Sequence, residues 1–101
     1  MGADRCAIFV AHDSTRQLVL RGWWDFEGVP QPALMYDLGE GLVGWVAREN
    51  RPLFLANAQS DQRFVTKWAH DADVAAVMNL PLVINSAVVG VLQVSTRPGK
   101  P

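Results

Sequence analysis

The chain alternates between compact apolar runs and short polar breaks, and most of its elements can be read from that rhythm. Arg5–Asp13 ("RCAIFVAHD") is dense in β-forming side chains and ends in a polar "HDST" stretch. Gln17–Trp24 ("QLVLRGWW") resumes at once, so the two runs predict an antiparallel hairpin. Between Asp25 and Leu38 the apolar residues follow no clear period, and Gly28, Pro30 and Pro32 mark a loop. Leu42, Val43, Val46 and Ala47 then keep the spacing of one helical face. Asn50 tolerates a left-handed helix end and Pro52 forbids continuation, so this helix is short. "PLFLAN" (52–57) reads as a strand, and Ser60 or Asp61 as the N-cap of a second short helix reaching about Trp68. "VMNLPLVIN" and "AVVGVLQVST" are two strong strands joined through Asn85-Ser86, a hairpin turn.

Five strands with short helices inserted between the second and fourth predict an α+β fold with a mostly antiparallel sheet. In the last strand the sets 88/90/92/94 and 89/91/93/95 are both mainly apolar, which places that strand centrally, covered on two faces. The helices legible in the chain are too few to cover both. The expectation is therefore one domain over residues 1–101, excised from a larger multidomain protein and lacking helices at its two ends.

Composition narrows the function. The 101 residues carry nine basic and ten acidic side chains, a net charge of −1, which gives no footprint for nucleic acid. No apolar run approaches the ~20 residues needed to insert into a membrane, and the N-terminus has no export signal pattern. The single cysteine, Cys6, allows neither an internal disulfide nor a cysteine metal cluster. Together these fit a cytoplasmic domain.

"GEGLVGWVARENRP" (39–52) opens as G-x-G-x-x-G, the pattern of a phosphate-cradling turn. A dinucleotide site needs a buried strand before the first glycine, a long helix after it and an acid ending the next strand. Here "QPALMYDL" precedes, the helix is about nine residues, and the next strand ends at Asn57. The glycines read as architecture: Gly39 and Gly41 for a tight turn, Gly44 for close packing of the helix on the sheet.

The order of these pieces resembles the GAF domain of bacterial signalling proteins. The residues that carry the likeness are Gly39–Gly44, Arg51-Pro52-Leu53, Asp61-Gln62-Arg63-Phe64, Leu80-Pro81-Leu82 and Gly90-Val91-Leu92, and they cover nearly the whole chain. The resemblance implies a PAS-related fold with a central antiparallel sheet of five to six strands, in the order 2-1-5-4-3. It also implies short helices over one face, where the family holds small ligands, and terminal helices on the other, which often pair in dimers. Three specialised variants do not fit. Cys6 lies in the first strand, away from where bilin-binding members attach their chromophore. The free methionine sulfoxide reductases of this fold use several cysteines. The N-K…F-x-x-x-D-E pattern of cyclic-nucleotide-binding members is missing, since Ala58 follows Asn57 and no acidic pair follows Phe64.

On the ligand face, Leu42, Val46, Asn57, Phe64, Trp68, Asn79 and Gln93 are the expected ligand-binding residues. Phe64 and Trp68 would wall the pocket from one helix turn, and the three amides would each offer a hydrogen bond or face solvent. Trp23 and Trp24, being adjacent on a strand, must use opposite faces, and Trp45 lies off the helical stripe. His12-Asp13 and His70-Asp71 hold the only histidines. His12 falls in a turn, and His70 is the one candidate haem or metal contact. Ser14, Ser60, Ser86 and Ser95 sit at turns, caps or strand ends without a histidine at motif spacing, and no carboxylate pair stands out, so no catalytic residue is assigned. No cofactor is assigned either. The expectation is a sensory domain, not an enzyme, from a sensor histidine kinase or related regulator, binding a small molecule and forming a homodimer. The alternatives are a ligand-free dimerisation module and a haem or metal sensor using His70.

Overall fold

The computed structural model describes residues 5–12, 14–24, 35–65 and 74–96. They form one antiparallel sheet from β1 (Arg5–Ala11), β2 (Leu18–Trp24), β3 (Met35–Tyr36), β4 (Leu53–Leu55), β5 (Val77–Ile84) and β6 (Ala87–Ser95). The strand order is β3-β2-β1-β6-β5-β4. The five strands expected from sequence stand in their expected order, and β3 is added beyond β2. Its two residues belong to the stretch read as loop. Pairing of Leu18 with Tyr36, and an edge-on contact of the Tyr36 and Phe9 rings at 5.5 Å, recruit them into the sheet.

Local chemistry closes both long hairpins. Asn85 and Ser86 have φ of 50° and 67°, the doubly left-handed turn that matches strand twist, and Ile84 faces Ala87 across it. The β1–β2 turn closes with His12 N–H donating to the Gln17 carbonyl at 2.8 Å and Arg16 N–H to the His12 carbonyl at 2.9 Å.

The two faces of the sheet differ. On the inner face, register aligns Trp23, Ala7, Gln93, Asn79 and Leu53 in one row, with Leu20, Phe9, Val91 and Pro81 in the next. Helix α1 (Gly41–Glu49) lies over this face, against β2, β3, β5 and β6. The outer face carries Trp24, Cys6, Val94, Met78 and Phe54 in one row and Ile8, Leu92 and Leu80 in another, all partly or well exposed. Trp23 and Trp24 use opposite faces, as adjacency on a strand requires.

Helix α1 starts from a turn that glycine makes possible. Gly39 and Gly41 have φ of 87° and 65°, and Gly39 N–H donates to the Gly44 carbonyl at 2.8 Å. Gly44 is needed for a reason other than the one its sequence context suggests. A Cβ there would strike the Asp37 carbonyl and the Gly39 backbone, so the close approach is to the helix's own lead-in turn and not to the sheet. At the other end Asn50 is left-handed (φ 53°, ψ 46°) and its N–H closes on the Val46 carbonyl, the expected termination.

The second short helix expected from Ser60 or Asp61 to Trp68 is not formed in its described part. Ala58–Ser60 is a single 3₁₀ turn, and the Ser60 hydroxyl bonds back to the Asn57 carbonyl. Residues 61–65 are not helical. Asp61 caps a tighter structure, accepting the Arg63 N–H at 2.8 Å. This local turn competes successfully with helix nucleation. Trp68, His70 and Asp71 lie outside the described residues.

Candidate functional site

The core under α1 is two clusters. Ala7, Phe9, Leu18, Leu20, Tyr36, Val43, Val46, Ala47 and Val91 form the first. Leu42, Ala58, Val74 and Val77 form the second, with Phe64 and Leu55 packed on it, and Leu53 touches both. The seam holds a polar element. Asn79 alternates with Val77 along β5 and so projects to the same face, and Gln93 is its register partner on β6.

Asn79 is 0% exposed and Gln93 8%. Among the described residues, neither the oxygen nor the nitrogen of the Asn79 amide has a hydrogen-bond partner. Leaving such an amide dry costs about 1–3 kcal/mol, so an unpaired one in a native interior calls for an explanation. A ligand reaching the seam would supply one.

The Asp-x-Arg-Phe segment seats Phe64 against the second cluster. Arg63 grips the Asp61 carboxylate with two bonds, Nε to Oδ1 at 2.9 Å and one terminal nitrogen to Oδ2 at 2.7 Å. The same guanidinium lies over the Trp45 ring, 4.6 Å from its centroid. The side-chain bond from Arg63 holds the Asp61 carboxyl down at about 2, and Asp61 in turn raises the Arg63 pKa. Trp45, off the helical stripe, thus ties the segment after the 3₁₀ turn to α1, and it also packs on the first cluster.

Of the residues expected at the site, Leu42 and Phe64 are in or against the second cluster, Val46 is buried in the first, and Asn79 and Gln93 are buried in the register row of Leu53, which touches both. Asn57 is not among them. It is exposed, and its carbonyl accepts from Ser60. Trp68 lies outside the described residues. Sequence reasoning missed Leu53, Leu55, Ala58, Val74 and Val77. The i, i+2 alternation of Val77 with Asn79 was the available signal for the last.

Other candidate chemistry is local. The Ser14 hydroxyl lies 3.2 Å from His12 Nδ1, a pairing not expected from sequence, but both residues are exposed in one turn and the Ser14 N–H points to the same nitrogen. The contact orders the turn. Among the described residues no three His, Cys, Asp or Glu side chains converge as a metal site. Burial pushes the Cys6 thiol pKa up, which favours the unreactive form. No helix among them is long and apolar enough to cross a membrane.

The fold defines a class: small α+β modules built on one antiparallel sheet with a helix over one face. A family model described as "GAF domain" matches residues 1–101, and the chain belongs to that family, whose members are sensory and regulatory modules. It is 28% identical, over 94% of its length, to a probable 3′,5′-cyclic phosphodiesterase of Caenorhabditis elegans, of which it spans 15%. Among solved structures, the GAF domain of a phosphoenolpyruvate-protein phosphotransferase from Coxiella burnetii superposes with a TM-score of 0.81 at 23% identity, over 94% of this chain and 57% of that one. A Staphylococcus aureus NreA protein mutated in its nitrate binding site gives 0.75 at 22% identity, over 99% and 77%. At these identities the structures establish the fold.

Proposed function

We propose that this chain is the small-molecule-binding sensory unit of a larger signalling protein, with the ligand at the seam between the two clusters. The observation that carries this reading is the fully buried Asn79 amide with neither polar atom paired. Occupancy would act by population shift: a ligand that binds one arrangement of the sheet and its cover better than another biases a linked output. The domain is a regulator and not itself a catalyst. Its parent is a bacterial sensor histidine kinase or related cytoplasmic regulator, a reading that rests on the motif resemblance.

Native mass spectrometry of the purified protein tests the proposal, with Asn79→Leu as the comparison. Leucine keeps the branching at Cγ and removes both polar atoms. The wild type should carry an extra mass that leaves on denaturation, and the variant should not. Freed of ligand, Asn79→Leu should melt no lower than wild type, because an unpaired amide is replaced by an apolar group. A bare wild-type protein, together with a strongly destabilised variant, would refute the reading.

A second reading, a homodimerisation module, is favoured by the outer face. Trp24 and Phe54 are 53% and 58% exposed at opposite ends of one apolar row, and exposed apolar patches mark interfaces. A ligand-free dimer that Met78→Glu dissociates would support it.

A further inference from the structure

We propose that the seam selects a small uncharged molecule presenting a hydrogen-bond donor and an acceptor side by side, as a carboxamide or lactam does. This rests on the ligand-binding reading above and adds the chemistry of what is bound. An amide side chain offers one acceptor oxygen and one donor NH2 fixed in a common plane. In Asn79 both are buried and unpaired. A partner with the reciprocal pair, set edge to edge, satisfies both at once.

Other ligand classes fail on one atom or the other. Nitrate and carboxylates are acceptors only, so they would satisfy the NH2 group while setting negative charge against the Asn79 carbonyl oxygen. An ammonium is a donor only and leaves the NH2 group unpaired. An apolar molecule leaves both atoms as they are.

The surroundings agree. The described side chains that line the second cluster, among them Leu42, Leu53, Phe64 and Val77, are apolar and carry no charge to balance an ion. Arg5, buried one register row away beside Ser95, already has an interaction of its own. Gln93, the neighbour of Asn79 across β5 and β6, is a second amide that can turn either end toward the same molecule.

Three probes of similar size separate the possibilities: pyrrolidin-2-one with donor and acceptor adjacent, cyclopentanone with the acceptor alone, and sodium nitrate. The protein is labelled with nitrogen-15, and the Asn79 side-chain NH2 pair is followed during titration. That pair is identified by its loss in Asn79→Leu or, should the variant not fold, by asparagine-selective labelling with Asn50, Asn57 and Asn85 replaced in turn to assign the other three. Leaving one buried partner unsatisfied lowers affinity by about tenfold or more. Pyrrolidin-2-one should therefore move the Asn79 signals at a concentration at least about tenfold below either other probe. Nitrate or cyclopentanone acting at equal or lower concentration would overturn the amide-edge proposal and leave the ligand site standing. Signals that no probe moves would overturn both.

Discussion

Replacing Gly44 with alanine tests whether the glycine-rich segment is a mechanical part of the fold. A Cβ at position 44 would collide with the Asp37 carbonyl oxygen and lie 3.0 Å from the Gly39 nitrogen and 3.2 Å from the Gly39 carbonyl carbon. All three are main-chain atoms, so no rotamer change relieves the contact. Relief requires the lead-in turn to move off α1. That breaks the 2.8 Å bond from Gly39 N–H to the Gly44 carbonyl and strains the 2.9 Å bond from Glu40 N–H to the Asp37 carbonyl. Two such bonds contribute about 1–3 kcal/mol and overpacking costs a further ~1–3 kcal/mol. The better helix propensity of alanine returns about 1 kcal/mol. The net loss is about 1–5 kcal/mol, centred near ~3 kcal/mol, and that central value lowers the melting temperature of a domain of this size by roughly 10–25 °C. Gly22→Ala is the control: the nearest atoms to its new Cβ, in the Trp24 ring, are 3.9 Å away. That variant should stay within about 0.5 kcal/mol of wild type. Urea unfolding followed by far-ultraviolet circular dichroism reads both. Equal stabilities for the two variants would refute the reasoning.

Arg63→Ala removes the Asp61 ion pair and the cover of Trp45 together, and should cost about 1 kcal/mol at neutral pH, since both groups are partly exposed. Because Arg63 depresses the Asp61 pKa to about 2, the ion-pair part is fully present above the ordinary carboxylate range. It is lost as pH falls through about 4 to 2, so the difference between wild type and variant should shrink there to what the Trp45 contact contributes; a difference that grows toward acid would refute the assignment. Pro81→Thr should promote self-association, because β4 pairs with β5 only as far as Asn79 and Pro81 interrupts the donor row of the remaining edge. Unchanged sedimentation at high concentration would count against this. Asn50→Ala should cost about 1 kcal/mol in the same urea assay through its left-handed backbone; no loss would show that helix end to be relaxed.

Where a local rule had no competitor, the sequence was sufficient. Asn85-Ser86 between two strongly apolar strands, and Asn50 with Pro52 after a four-residue stripe, leave the backbone few alternatives. Where two local devices competed, it misled. Asp61 caps helices and also forms turns with a residue two positions on, and the doubly bonded arginine at that position decided for the turn. The inner face was legible in the sequence, but not which of its amides is buried. Asn57 and Asn79 are both amides beside apolar neighbours, yet Asn57 falls past the end of β4 and is exposed, whereas Asn79 sits inside β5 with paired strands on both sides and is buried. The role of Trp45 depends on Arg63, eighteen positions away, and has no periodic signature.

Arg5 is the register partner of Ser95, so the chain enters and leaves the sheet on adjacent central strands. Segments continuing from these two positions would start side by side, like two leads from one terminal. Gln93 stands two residues from that exit, a distance of about 7 Å along an extended strand. A strain placed on the amide row would therefore reach both leads by one short path, with no need to cross the core.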